Sequence, residues 1–441
     1  SNNVKLSNVK RVFKLLLPYW WMIFLIIGTT IVSVWSQLQL PSITGNIINN
    51  GVMKLDQNYV WSHGLQMMGI VAIGALTTVA SGFLATRIGT GWSRDLRLAV
   101  FKKIENFSQN EINKFSTASL ITRSTNDIQQ IQQTSIMMLR MTLQAPIMAI
   151  YAIILAVQQA PTMSWIMWTG MITLILSVVA LFILVIPRFA KIQRLTDNLN
   201  LISRENLTGL RIIRAFRNEG YEEKKFATAN RNLTENTLWI NRVLAAIFPL
   251  VMMIINFVAL AITWFSARGV ADGNIDIGTM VAFPQYAIQA IMAFLFIAML
   301  IVFIPRAAVS IGRIGEILNT KISIDFNNST AKAHNDQRGV VEFREVTFSY
   351  PDAETPVLTD ISFVAKPGQT TAFIGSTGSG KSTIISLIPR FYDVTAGEIL
   401  VDGQNIKNLD KNDLDDTIGY VPQKGMLFSG TVASNIKYGE N

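Results

Sequence analysis

The sequence predicts an all-α polytopic membrane domain of six long helices that extend into the cytosol, followed by part of an α/β P-loop domain. Three observations carry this prediction. Half of the 441 residues are hydrophobic and 15% are charged, where a globular domain holds nearer a quarter. Six long stretches carry no charged residue, and all of them end before residue 305. A glycine-rich loop of phosphate-binding type then follows at 375–383, in a segment of different composition.

The remaining composition narrows the function classes. A mean hydropathy of +0.35 excludes intrinsic disorder and argues against an ordinary cytosolic enzyme. With no cysteine, a disulfide framework, a thiolate zinc site and a cysteine nucleophile are excluded. Two histidines, His63 and His334, leave little scope for a His-rich metal site and are expected in exposed loops. Residues 1–336 hold twenty-nine basic against sixteen acidic side chains, and residues 337–441 hold nine against thirteen. A basic apolar part is therefore joined to a mildly acidic, ordinary one.

Taken in chain order, residues 6–17 mix apolar and basic side chains and read as a short interfacial helix. The chain starts Ser1-Asn2 without an initiator Met, which reads as a scar of expression. The charge-free runs follow at 19–40, 65–85, 141–159, 165–186, 244–265 and 277–304. Each is close to the ~20 residues a helix needs to cross a ~30 Å hydrocarbon core. Six buried helices of this length would need a soluble core larger than the chain could surround. Pro146, Pro249 and Pro284 do not disqualify their runs, because neighbouring helices satisfy freed carbonyls. The first run is too long for a cleaved signal peptide.

Connections between the runs set the orientation. Lys5, Lys10, Arg11 and Lys14 precede the first run. Seven basic residues besides Arg140 lie between runs two and three, eleven between four and five, and only Lys54 and Arg268 in the other three connections. Positive residues stay in the cytoplasm, so both termini are expected there. The charges alternate with spans, which argues against a nucleic-acid partner. Residues 88–107 and 189–206 are proline-free with helical spacing of apolar residues, so the spans should run on into the cytosol. Polar breaks at 108–119 and 217–225 would form the tips of these arms. Arg140 is expected at the cytoplasmic end of span three, snorkelling or pairing between helices. Trp20 and Trp21 read as interfacial anchors.

The predicted division is a membrane domain over 1–320, a linker over 321–339 and the start of a nucleotide-binding domain over 340–441. Val341-Glu-Phe-Arg-Glu-Val-Thr-Phe-Ser-Tyr350 is β-like and stops at Pro351. Residues 370–374 read as a short apolar strand entering Gly375-Ser376-Thr377-Gly378-Ser379-Gly380-Lys381-Ser382-Thr383, with an apolar helix from Ile384. That is G-x-x-x-x-G-K-[ST] in a strand–loop–helix setting. Its glycines let backbone N–H groups close around phosphate oxygens at a helix N-terminus. Lys381 would pair with the β/γ-phosphates and the Ser382 hydroxyl would ligate Mg²⁺. The cofactors expected are therefore ATP and Mg²⁺. The run Ile399-Leu-Val-Asp402 mimics a metal-binding aspartate strand, but Gly403 makes it a hairpin.

Six spans with two long arms and this loop resemble an ATP-binding cassette (ABC) exporter half-transporter of the bacterial multidrug/lipid type, over almost the whole chain. Phe348-Ser-Tyr350-Pro351 is similar to the family's aromatic loop, which implies that Tyr350 stacks on adenine. Phe391-Tyr-Asp393 with Gly397, Asp402 and Gly403 resembles the hairpin after the phosphate loop. Gly419-Tyr-Val-Pro-Gln423, with Leu427–Thr431 and Asn435–Gly439 behind it, resembles the segment whose glutamine reaches Mg²⁺ and the attacking water, so Gln423 joins Lys381 as a catalytic candidate and Ser382 as a metal ligand. Residues 111–115 and 214–226 are similar to the two coupling segments. Ser376 and Ala118 depart from a common proline and glycine.

Asn441 comes before any Leu-Ser-Gly-Gly-Gln signature, catalytic glutamate or switch histidine. The chain is therefore expected to belong to a longer protein and not to complete a hydrolytic site alone. The resemblance implies an ATP-hydrolysing translocase in the inner membrane of a bacterium, working as a dimer with a second half-transporter. Lys424 leans slightly toward a heterodimer. The implied cargo is a hydrophobic or amphipathic small molecule met in the lipid bilayer, with Trp35, Gln37, Phe257, Trp264, Gln285, Gln289, Phe294 and Phe296 as possible cavity residues and helix packing as their commoner role. A lipid or peptide exporter, a siderophore importer and a non-transporting sensor half remain alternatives.

Overall fold

The computed structural model describes residues 2–324, 326, 338–351 and 353–438, and among these not the side chains of 2–7, 298–303, 305 and 306. Most of the expected linker, His334 and Gly439 lie outside the described residues. The chain forms two compact units. One comprises Lys14–Arg94 and Gln129–Ser310, the other Ser1–Phe13, Asp95–Ile128 and Ile311–Asn441.

The helices run in order as α1 (Asn2–Lys14), α2 (Trp20–Asn46), α3 (Gln57–Glu105), α4 (Gln109–Phe115), α5 (Thr117–Thr122), α6 (Ile128–Gln159), α7 (Ser164–Thr208), α8 (Leu210–Ala215), α9 (Glu219–Ala271) and α10 (Ile277–Asn319). Among the described residues six stretches are long and apolar enough to cross a membrane, and they contain the six charge-free runs except for the end of the last. Helices α3, α7 and α9 have 49, 45 and 53 residues. At 1.5 Å per residue they reach roughly 70–80 Å, more than twice a ~30 Å hydrocarbon core. Helices α6 and α9 continue through Pro146 and Pro249.

The core of the membrane unit is built from small residues facing larger ones. Ala149, Ala152 and Ala156 on α6, with Ala160 just beyond its end, are buried with Met167, Met171 and Leu174 of α7, Val251, Ile255, Val258 and Ile262 of α9, and Phe283, Tyr286 and Ile291 of α10. Without water to drive association, such small residues let helices approach closely enough for dispersion to hold them. Outward positions such as Leu65, Leu76 and Val79 on α3, or Leu176 and Ile183 on α7, are exposed and apolar, as a surface wetted by lipid tails requires.

Helices α2 and α3 form an antiparallel pair, with Ser33 and Thr78 hydroxyls 2.7 Å apart and Thr30 and Ser81 hydroxyls 3.3 Å apart. Arg140 lines a cleft with these four residues and Gln144. It therefore sits inside the span, one helical turn into the charge-free part of α3, and not at its end as expected. The apolar residues of α6 before Arg140 continue the span, and a count from the first charge misses them. His63 also departs from expectation: it lies in α3, its ring stacked on Tyr59 at 3.8 Å.

At the opposite end of α2, Asn49 holds α10 in place. Its side chain accepts from the Gly278 N–H at 2.7 Å and donates to Asp276 at 2.6 Å, while Asp276 caps α10 by accepting from the Thr279 N–H at 2.7 Å. Gly278 lies against the Gly45 carbonyl, where a Cβ would meet backbone rather than a movable side chain. Gly278→Ala is expected to gain up to ~1 kcal/mol of helix propensity and lose about 1–3 kcal/mol to overpacking. The net result is a lower thermal midpoint in detergent; an unchanged midpoint would show that α2 and α10 separate freely.

In the second unit β1 (Val341–Phe348), β2 (Leu358–Ala365), β3 (Ala396–Val401) and β4 (Gln404–Asn405) form one antiparallel sheet in the order β2-β1-β3-β4. Phe343 pairs with Phe363 on one side and Ile399 on the other. Helix α11 (Lys381–Leu387) lays Ile384 and Leu387 on the core formed by Phe343, Val346, Phe348 and Ile399. Two further helices, α12 (Lys411–Thr417) and α13 (Val432–Ile436), follow. Asp402 and Gly403 turn β3 into β4 with φ of 51° and 74°, and Asp402 accepts from the Gly339 N–H at 2.6 Å, so the hairpin reading holds. Residues 370–374 form no strand: no described strand pairs with them, and Ile374 is 95% exposed. Apolar composition supplies a strand face but not the neighbouring ladder a strand needs.

Candidate phosphate-binding site

The loop from Gly375 to Gly380 runs over the surface and enters α11 through Gly380, which is left-handed at φ 88° and buried against Leu358. Gly378 also has φ 88°, a conformation open to glycine at little cost. Ser376, Thr377, Gly378 and Ser379 are exposed, and the Ser379 N–H bonds the Ser376 carbonyl at 3.3 Å. Lys381 folds back over the loop: its ammonium donates to the carbonyls of Gly375 at 2.9 Å and Ser376 at 2.6 Å, and to the Ser379 hydroxyl at 3.4 Å. A mobile point charge with three donors is thus held where the loop's backbone curls.

Ser382 is exposed on the first turn of α11, a hard oxygen of the type Mg²⁺ prefers. Thr383 faces inward instead, and its hydroxyl lies 3.0 Å from the Tyr350 hydroxyl. Tyr350 packs edge-on against Phe348 at 4.9 Å and Tyr392 at 5.2 Å. The Tyr392 hydroxyl accepts from the Asn113 amide at 3.2 Å, and burial raises its pKa above the ordinary phenol value, so it stays protonated at neutral pH. Within one unit a continuous contact therefore runs from α4 through Tyr392 and Tyr350 to the phosphate loop. Gln423 is exposed in an irregular stretch, and among the described residues no hydrogen bond joins it to the loop.

Sequence reasoning did not single out Tyr392, Asn113 or the role of Glu111. Helix α4 lies within the expected polar break at 108–119 and contains residues 111–115, and it begins with a capping box in which Ser108 and Glu111 serve each other's backbone. The pattern Ser-x-x-Glu carries that signal. Glu111 is only 6% exposed. One carboxylate oxygen accepts from the Ser108 N–H at 2.8 Å and hydroxyl at 2.6 Å, and the other from the Ser323 N–H at 3.1 Å and the Ser323 hydroxyl. Burial alone would raise its pKa, but these bonds outweigh it and hold the carboxyl below the ordinary range. Nearby, Arg123 binds Glu316 at 2.7 Å, and Arg313 approaches Asp127 at 3.7 Å. In the second arm the helices are interrupted at Gly209 and at Phe216–Asn218, so the expected break at 217–225 is mostly the start of α9.

Residues 23–294 match the family model described as ABC transporter transmembrane region, and residues 358–440 match the one described as ABC transporter. An uncharacterized ABC transporter ATP-binding protein of Mycobacterium tuberculosis is 38% identical over 96% of this chain and 72% of its own. A second, from Bacillus subtilis, is 33% identical over 92% of this chain and 70% of its own. An ATP-dependent lipid A-core flippase of Pseudomonas aeruginosa is 28% identical over 87% and 63%.

Proposed function

Because the chain belongs to the ABC transporter family, we propose that it is one half of a dimeric exporter that uses ATP hydrolysis to move amphipathic compounds out across a bacterial inner membrane. The observation that carries this reading is the contact from Asn113 on α4 through Tyr392 and Tyr350 to Thr383 beside the phosphate loop. A loop of phosphate-binding type is thereby in contact, within one unit, with the short helix that follows α3 in the chain. On this reading Lys381 leaves the Gly375 and Ser376 carbonyls to pair with β/γ-phosphate oxygens, and Gly375–Gly380 contributes backbone N–H groups. Tyr350 supports the adenine, and Gln423 orients the attacking water. A magnesium ion held by Ser382 and Gln423 would neutralise charge developing on the phosphates.

Membrane and cassette portions divide at 1–320 and 340–441, with both termini and the cassette in the cytosol, as the distribution of basic residues favours. Similarity to a lipid A-core flippase favours a lipid-like cargo over a purely drug-like one. In inside-out vesicles carrying the whole protein and its partner half, ATP is expected to drive accumulation of a fluorescent phospholipid analogue several-fold above an ADP control. Hydrolysis without accumulation of any amphiphile would favour the sensor reading instead. Purifying the chain alone and measuring its mass and ATPase activity separates a homodimer from a heterodimer.

A further inference from the structure

We propose that Tyr392 is a positioning residue for nucleotide binding: it sets the plane of the Tyr350 ring, and through that ring the affinity for the base but not for the phosphates. The inference rests on the reading that Tyr350 supports adenine, and it names the residue that makes this support rigid. It starts from the backbone. Tyr350 lies two residues beyond the end of β1, in an irregular stretch. There the Ser349 N–H donates to the Thr395 hydroxyl at 3.1 Å, and the Tyr350 carbonyl accepts from the Ala353 N–H at 3.1 Å. These bonds hold the main chain and leave the ring free to turn. A stacking platform has to keep one plane, because attraction between flat rings depends on their relative geometry.

Three side chains supply that plane. Phe348 and Tyr392 meet the Tyr350 ring at interplanar angles of 80° and 89°, with centroids 4.9 and 5.2 Å away. The Thr383 hydroxyl lies 3.0 Å from the Tyr350 hydroxyl and holds the tip of the ring. Phe348 and Tyr392 also touch each other at 5.6 Å, which closes a cluster of three rings. Both are buried, whereas Tyr350 is half-buried. Two near-perpendicular neighbours hinder rotation of the ring between them.

Of the three, Tyr392 is anchored independently of β1 and of the phosphate loop. Phe348 precedes Tyr350 by two residues and moves with it, and Thr383 belongs to the helix that the loop enters. Tyr392 instead follows Arg390, which is left-handed at φ 56°. The buried Arg390 guanidinium donates to Asp393 at 2.8 Å and to the Ile406 and Lys407 carbonyls at 3.4 and 3.3 Å. Phe326 lies over the same guanidinium at 4.5 Å. These contacts fix the turn from which Tyr392 projects, and the Asn113 amide holds its hydroxyl at 3.2 Å. Held at both ends, the Tyr392 ring is a fixed wall for Tyr350. Phosphate oxygens are read as meeting Lys381 and the loop backbone instead, so loss of the wall is felt by the base alone.

The test is calorimetric binding of adenylyl imidodiphosphate and of inorganic tripolyphosphate, each with Mg²⁺, to the whole protein and its partner half in nanodiscs. Neither hydrolysis nor transport enters the result. Tyr392→Met refills the volume without a ring. It is expected to weaken the nucleotide roughly three- to tenfold, the size of one or two lost aromatic contacts, and to leave tripolyphosphate unchanged. An unfolded fraction would lower the stoichiometry and not the affinity of the folded remainder, and Tyr392→Leu repeats the comparison if that fraction is large. Tyr392→Phe keeps the wall and should recover most of the nucleotide affinity. Tyr350→Leu should weaken the nucleotide at least as much as Tyr392→Met. The double variant should bind no more weakly than Tyr350→Leu alone, because residues acting through one contact are not additive. Additive losses, equal losses for both ligands, or parent affinity in Tyr392→Met beside a weakened Tyr350→Leu would each overturn the positioning role and leave Tyr350 its own. Parent affinity in Tyr350→Leu would instead overturn the adenine reading, and the positioning role with it.

Discussion

Lys381→Ala is expected to reduce ATP hydrolysis by the whole protein by roughly a hundredfold or more, the scale lost when one charge-stabilising donor is removed from a reacting centre. The lysine ammonium now spends its donors on the Gly375 and Ser376 carbonyls and the Ser379 hydroxyl. Phosphate oxygens replace neutral acceptors with charged ones, which makes each bond roughly twice as strong. Alanine removes that gain and leaves the loop with backbone donors alone. Folding should not suffer, because Lys381 starts α11 on its half-exposed side and alanine is the best helix former. Thermal midpoints should therefore agree while hydrolysis and ATP-dependent vesicle uptake fall together. Lys381→Arg should not restore them, since a planar fork does not fit a place shaped for a compact ammonium. Hydrolysis within threefold of the parent would remove Lys381 from the role given to it.

Much of the architecture was legible because it rests on one-dimensional signals. The absence of charge over some twenty residues identifies spans whatever their neighbours are, so the positions of all six runs agree with α2, α3, α6, α7, α9 and α10. The phosphate loop was legible because glycines at 378 and 380 satisfy a local backbone demand, φ of 88° at both. Asp402 and Gly403 likewise declare a tight turn in their own dihedrals.

What the sequence hid depends on pairing across distance. Residues 370–374 look like a strand, yet an apolar run cannot say whether a ladder lies beside it. Arg140 marks the first charge before an apolar run, and only the position of Thr30 and Ser81 against α6 places it within the span. The contact of Asn113 with Tyr392 joins residues 279 positions apart; neither residue type announces it. Half of Glu111 was visible, through its spacing from Ser108, and half was not, because Ser323 lies 212 positions away.

That second half gives Glu111→Gln a large structural effect. Four donors converge on two carboxylate oxygens, and an amide offers one acceptor and turns a donor toward the others. A buried hydrogen bond to a charged group contributes about 1.5–3 kcal/mol, so the junction between α4 and Ser323 should loosen by roughly that much. Since 1.4 kcal/mol is tenfold, amides in α4 and at Ser323 are expected to exchange with deuterium on the order of ten- to a hundredfold faster, while the membrane spans stay protected. The pH dependence follows from the direction of the shift. Glu111 titrates lower in the folded protein than in an unfolded chain, so its contribution is complete above the ordinary glutamate pKa of about 4.3. That contribution then falls away as pH drops through the depressed folded value. The parent should therefore lose α4 protection in that acid window, and Glu111→Gln should lack the transition altogether. Exchange in α4 that is equally slow in both proteins at pH 7 would mean that packing of Phe115 against Phe107, stacked at 5.9 Å, and not the carboxylate, holds this segment.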